Sequence, residues 1–420
     1  MTVDMGALGK RAKAAAVALR GFGTACKDAA LEAIAKALES ARADILEANR
    51  ADMAAGDAAG LTPALLDRLN LAKRLDGVIA GVRNVAALPD PIGEVFDART
   101  LPNGLKIHKR RTALGVLGVI YESRPNVTVD VAALALKVGS AVILRGGSET
   151  LRSNIAIVDA IKAGLAAADF PSDAVQLIRD TDRRYVGELL RLDQYVDMII
   201  PRGGAGLHRF CRENSTIPVI TGGIGVCHLY IDQTADQGAA IEVIHNAKVQ
   251  RPSVCNALDT LLVQESIAEA FVPRLIKRLA VDGVSFRVDA GAAAALGGTN
   301  GENVQPAADG DWDTEWLDYV LGIRVVDDLD AAIAHIHAHS TGHSDGILTE
   351  DAESAAQFLN AVDSAAVYVN ASTRFTDGGQ FGLGAEIAIS TQKLHARGPM
   401  GLEELTTYKW IVEGDYHVRA

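Results

Sequence analysis

The run LGVLGVIYESRPNVTVDVAALALKVGSAVILRGGSE, residues 114–149, decides the fold. LGVLGVIYE is a short apolar stretch rich in β-branched residues. VTVDVAALALKV carries apolar residues at helical spacing, and AVILR is apolar again. This reads as strand, helix, strand, the unit from which parallel sheets are built. The same alternation continues downstream. A helix is expected from about Asn154 to Ala168, a strand at VQLI, a helix near Val186 to Leu192, a strand at VDMII and a helix starting near Gly206. A second αβ series runs from about Leu229 to Val369. The expected fold class is therefore α/β: two αβ lobes, with ligands in a cleft between them.

Upstream, residues 5–86 read as mostly helix, dominated by Ala, Leu, Lys and Glu. Residues 98–112 break that pattern. Asn103-Gly104 sits between two short alternating runs, a hairpin signal, and such a ribbon is either a surface hairpin or an arm that pairs with another subunit.

The 420 residues suffice for two or three domains, and 49% apolar against 22% charged is a globular balance. A net charge of −12 argues against a nucleic-acid partner. No apolar run reaches the roughly 20 residues of a spanning helix. Lys10, Arg11 and Lys13 precede an amphipathic alanine-rich stretch unlike a signal peptide. The four cysteines have neither metal-site nor disulfide-framework spacing, so a reducing cytoplasm is expected.

Four stretches carry candidate chemistry. Glycines in Pro201-Arg202-Gly203-Gly204-Ala205-Gly206, between a strand and a helix, would let backbone N–H groups approach a cofactor phosphate. Arg145-Gly146-Gly147 follows AVILR in the same way, and Arg145 could grip a phosphate bidentately. Either turn is equally a plain βα turn. Cys255 lies in a loop-like polar stretch with Lys248 and Arg251 nearby; nearby cations lower a thiol pKa, and a reactive and a structural cysteine read equally well there. Cys26 and Cys211 lie in helical patterns and Cys227 opens an apolar strand, the usual places of inert cysteine. His335 and His339 share a helix face, but without an H-E-x-x-H pattern or an accompanying cysteine no metal is expected, and His343 belongs to a polar turn. The glycine-rich stretch from Asn370 to Glu386, with Ser372 and Arg374, follows a strand and suits substrate binding.

At this point the residues resemble a known family. VDDLDAAIAHIHAHSTGHSDGI, residues 326–347, matches every position of the signature of the γ-glutamyl phosphate reductase family, within the aldehyde dehydrogenase superfamily. Also similar are YESRPN (121–126), LRGGSE (144–149), PRGGAGL (201–207), QRPSVCNALDTLLV (250–263) and FGLGAEIAISTQKLHARGPMGL (381–402). The resemblance spans essentially the whole chain.

It implies a Rossmann-like cofactor domain over 1–97 and 113–228, a catalytic domain over 229–404, and an oligomerisation β-arm from 98–112 with 405–419. It implies NADPH-dependent reduction of L-glutamate 5-phosphate to L-glutamate 5-semialdehyde and phosphate, the second step of proline biosynthesis, through a thioester on Cys255. Cofactor contacts would come from Arg145, Gly146, Gly147, Arg202, Gly203, Gly204, Gly206 and Glu315. Substrate contacts would come from Arg124, Arg251, His343, Asn370, Ser372 and Arg374. Asn126 falls near the superfamily's oxyanion asparagine, though only with a gap. Ile220-Thr221-Gly222-Gly223 stands where hydrolytic relatives carry a glutamate that activates water, and isoleucine is no base. A homo-oligomer is expected, and the glutamate 5-kinase that supplies the labile substrate is a candidate partner. A CoA-acylating aldehyde dehydrogenase is the competing enzyme, and an inactive binding relative the non-enzyme alternative.

Overall fold

Strand Val116–Tyr121 is buried at every residue, as a near-continuous apolar run requires when both faces of a sheet are covered. In the computed structural model, which describes residues 3–222, 224–298 and 303–419, it is a central strand of a four-stranded parallel sheet. Ala141–Arg145 and Met198–Arg202 flank it, and Val175–Leu177 lies beyond Ala141–Arg145. The intervening helices are Asn126–Lys137, Leu151–Ala167, Arg184–Leu189 and, after the last strand, Ala205–Asn214. The third is shorter than its apolar pattern predicts, and the second starts three residues earlier than expected.

This sheet belongs to one of two compact units, formed by Met1–Thr221, Gly382–Ala388 and Met400–Ala420. Residues 382–388 and 400–404, expected with the C-terminal lobe, lie in this unit. Its helical N-terminal part comprises Met5–Leu19, Thr24–Ser40, Arg42–Ala58, Pro63–Leu69 and Leu75–Ala87. Side-chain caps start the first and fourth of these helices: Asp4 accepts from the Ala7 N–H at 2.9 Å, and Thr62 caps a helix that opens on Pro63.

The Asn103-Gly104 hairpin forms as the sequence predicts. Val95–Thr100 pairs antiparallel with Lys106–Ala113, and Gly104 takes a φ of 93° that its neighbours would resist. Thr406–Glu413 adds a third antiparallel strand, with Trp410 opposite Lys109. The Lys109 ammonium lies 4.5 Å from the Tyr408 ring centroid and 5.1 Å from that of Trp410.

The other unit comprises Gly222–Phe381 and Ile389–Pro399. Its seven-stranded parallel sheet runs Val304–Pro306, Ser285–Val288, Val320–Val326, Leu258–Gln264, Cys227–Ile231, Ser344–Leu348, Ala366–Val369. Alternate residues feed two cores. Leu229, Ile231, Leu261 and Val263 pack with Ile244, Phe271 and Leu275 on one face, whereas Tyr230 and Leu262 pack with Ile333, Ile336 and Phe358 on the other. Among the described residues, no helix is long and apolar enough to cross a membrane.

Candidate active site

Cys255 sits in the loop between helix Gln237–Val249 and strand Leu258–Gln264. The loop is clamped by the segment after strand Ala366–Val369. Arg374 Nε donates to Gln250 Oε1 at 3.0 Å and Nη1 donates to Asn256 Oδ1. The Asn256 amide nitrogen donates to the Thr376 carbonyl at 2.9 Å, and the Thr373 hydroxyl donates to the Asn256 carbonyl at 2.7 Å. The Cys255 carbonyl accepts the Cys227 thiol at 3.2 Å. Gly225 lies so close to that carbonyl that a Cβ there would collide with its oxygen. The Gly225 N–H donates to Glu315 Oε1 at 2.9 Å.

The thiols differ as their settings dictate. Burial raises the Cys211 pKa to about 11 and pushes that of Cys227 well above the ordinary thiol range, so both stay protonated at neutral pH. Cys26 is exposed, and Cys255 is half-buried. Arg374 is close enough to Cys255 and Arg251 for both charges to bear on its titration, although burial is the larger cause of its lowered pKa. Two guanidinium groups therefore stand near the Cys255 loop, one half-buried and one exposed.

The remaining expected substrate residues act on the backbone or lie deeper. The Asn370 side chain bridges Thr349, accepting from its N–H at 2.9 Å and donating to its carbonyl at 2.8 Å, while its own φ is 53°. Ser372 Oγ accepts the Arg374 N–H at 3.3 Å and starts the turn Thr373–Phe375. His343 is fully buried, and burial lowers its pKa to about 4, leaving a neutral ring. Its Nδ1 pairs with Ser344 Oγ at 2.8 Å, and that hydroxyl meets Thr376 at 2.6 Å. His335 and His339 have ring centroids 4.5 Å apart, and burial drives His335 to about 2. Among the described residues, no group of three His, Cys, Asp or Glu side chains is arranged to hold a metal ion.

The other expected residues lie in the first unit. Arg145 is buried and donates to the carbonyls of Gly146 and Thr181 at 2.8 and 2.9 Å, so its guanidinium braces two turns. Gly146 and Gly147 press against Asn154 and Glu149, where larger residues would collide. Glu149 Oε1 accepts both the N–H and hydroxyl of Ser123, at 2.7 and 2.9 Å. Arg202 ends its strand, Gly203 and Gly204 lead into helix Ala205–Asn214, and Gly206 lies in its first turn. The Gly204 N–H donates to Glu122 Oε2 at 3.1 Å, so a carboxylate already exploits the positive end of this helix. Arg124 lies in the turn before helix Asn126–Lys137, and the Asn126 amide donates to Asp130 Oδ2 at 2.9 Å. Ile220 is buried, and Gly223 lies outside the described residues.

Sequence reasoning missed Glu122 and Asp259. For Asp259 a signal existed, since an acid inside the apolar strand LDTLLV needs a buried partner.

The aldehyde dehydrogenase family pattern matches residues 3–291, and the chain belongs to that family of oxidoreductases. The Gamma-glutamyl phosphate reductase of Psychromonas ingrahamii is 59% identical over 418 residues, covering 99% of this chain and all of that one. The crystal structure of Gamma-glutamyl phosphate reductase from Thermotoga maritima is 48% identical, has a TM-score of 0.95 and covers 99% of both chains. An acetylating aldehyde dehydrogenase from Geobacillus thermoglucosidasius, 18% identical with a TM-score of 0.68 over 99% of this chain, shares the fold.

Proposed function

We propose that the chain reduces L-glutamate 5-phosphate to L-glutamate 5-semialdehyde with release of phosphate, the second step of proline biosynthesis. The observation that carries this is the placement of Cys255: a half-buried cysteine whose carbonyl abuts Gly225 and whose loop is held by the Arg374 clamp, in a chain that matches named γ-glutamyl phosphate reductases along its whole length.

The Cys255 thiolate attacks the γ-carbonyl carbon, the C–O bond to phosphate breaks, and a thioester forms. Arg374 and Arg251 supply positive charge for the substrate's phosphate or carboxylate. The Cys255 backbone N–H is one donor for the oxyanion. Asn126 is the proposed second, through the N–H of its amide that does not go to Asp130. Buried Ile220 offers no base to activate water, which protects the thioester from hydrolysis. After reduction, the C–S bond of the thiohemiacetal breaks and returns the thiolate.

The residues present fit a nicotinamide dinucleotide. Open space at Gly204 and Gly206 lies at the N-terminus of helix Ala205–Asn214, with Arg202 adjoining, and a cofactor phosphate there would take over the Gly204 N–H from Glu122; Gly146, Gly147 and Gly203 serve by letting Asn154, Glu149 and Glu122 pack closely around these turns. Arg145 contributes by bracing that region, and Glu315 is the proposed ribose ligand. When bound, the cofactor, proposed as NADPH, supplies the hydride. The exposed Tyr408, Trp410 and Val412 support a ribbon that joins copies of the chain into a homo-oligomer. A cytoplasmic setting suits a reduced Cys255, and contact with the glutamate 5-kinase would shelter the labile substrate.

The test is the reverse assay, NADP reduction by glutamate semialdehyde. It should require inorganic phosphate, proceed without CoA and vanish in Cys255→Ser. Turnover supported by CoA alone would sink the substrate assignment.

A further inference from the structure

Lys248 ends the helix before the Cys255 loop, and Leu258 and Asp259 follow the loop. The fully buried ammonium of Lys248 donates to the Leu258 carbonyl at 2.9 Å and lies 3.8 Å from Asp259 Oδ1. One side chain thus closes the base of the loop that carries the thiol.

Asp259 is the extra residue of a strand irregularity. Cys227 stands opposite Leu258 and His228 opposite Thr260, so Asp259 has no partner in the ladder. Its carboxylate takes up N–H groups from two other segments instead. Oδ1 accepts from Trp316 at 3.1 Å and Oδ2 from Cys227 at 3.4 Å. Trp316 follows Glu315, whose carboxylate holds Gly225, and Gly225 and Cys227 both touch the Cys255 carbonyl. Two of the backbone segments around Cys255, one at Cys227 and one at Trp316, are therefore tied to one buried carboxylate, which is itself balanced by Lys248.

We propose that Lys248 and Asp259 are a positioning pair that sets the Cys255 loop against the Gly225–Cys227 and Glu315–Trp316 segments. This rests on the reading of Cys255 as the nucleophile. A pair needed only for folding would be served as well by apolar side chains, because two buried charges are costly to desolvate. Burial drives Asp259 up and Lys248 down, and each charge opposes the other's neutralisation. Cys227, Glu315 and Asp318 are the other titratable groups facing the pair.

The experiment compares wild type, Asp259→Asn and the apolar double variant Lys248→Met/Asp259→Leu. The readouts are the melting temperature, kcat and KM, and the rate of Cys255 alkylation by iodoacetamide, read by peptide mass spectrometry. Asp259→Asn should lose kcat on the order of 10- to 100-fold, with KM within about threefold, and its Cys255 alkylation rate should move with kcat. The double variant should recover the wild-type melting temperature without recovering either rate. A folded double variant with both rates at wild type would overturn the inference. If the double variant does not fold, Asp259→Asn decides, and either rate at wild type overturns it. Cys255→Ser separates the two ideas. If it abolishes turnover while the pair variants behave as wild type, only the positioning role falls. If it retains turnover, the nucleophile reading falls first.

Discussion

The Cys227 thiol donates a hydrogen bond to the backbone carbonyl of Cys255 across 3.2 Å. The two cysteines thus divide their duties by environment. Cys227 is buried and held protonated, so it is a donor. Cys255 is half-buried near Arg374, so it is the more accessible of the two thiols. Brief treatment of the native protein with iodoacetamide should modify Cys255 and exposed Cys26, leaving Cys211 and Cys227 unlabelled. Peptide mass spectrometry checks this, and labelling of Cys227 at the rate of Cys255 would contradict the division.

Gly225 should tolerate no side chain. A Cβ would overlap the Cys255 carbonyl oxygen, and backbone carbonyls give way less readily than flexible side chains. Gly225→Ala should cost about 1–3 kcal/mol of stability and a larger share of kcat, because a shift of the order of 1 Å at the nucleophile can cost about 100-fold. Denaturant unfolding with steady-state kinetics on the same preparation measures both. An alanine variant with unchanged kcat would show that the loop does not need this contact.

Arg374 should matter through geometry as well as charge. Its Nε and Nη1 hold two amide oxygens of the Cys255 loop at once, a fork that lysine cannot reproduce. Arg374→Lys should therefore lose kcat by at least about tenfold, despite keeping the charge, and Gln250→Ala should lose less because only one branch is removed. A lysine variant equal to wild type would reduce Arg374 to a point charge.

These contacts show which parts of the site were legible beforehand. The parallel strands and the Asn103-Gly104 ribbon follow from local pattern, because apolar runs and a left-handed glycine have few alternative uses. Cys255 was only one plausible reactive thiol on its polar and cationic neighbours in sequence, and the resemblance to the reductase family was what singled it out. The roles of Asn370, Ser372 and Arg145 were harder to read, because a polar side chain near a ligand site satisfies backbone groups first, and sequence does not say which carbonyl lies within reach. The histidines of the signature were ambiguous for the same reason: periodicity puts His335 and His339 on one face, but burial, invisible in the sequence, keeps the His335 ring neutral, while His339 pairs with Asp313.

That burial sets the acid limit of the fold. His343 binds its proton near pH 4 when folded and near 6.5 when unfolded. Between these values the unfolded chain holds more protons, so stability falls as pH drops through 6.5 and the loss is complete below about 4. A shift of this size corresponds to roughly 3 kcal/mol, with the buried His335 extending the loss to lower pH. Urea unfolding at pH 7 and pH 5 should show lower stability at pH 5. His343→Gln should reduce that difference only in part, since an amide of comparable reach has no proton to gain but buried His335 and His208 still bind theirs on unfolding over the same interval. An unchanged pH slope in this variant would mean that other groups set the acid limit.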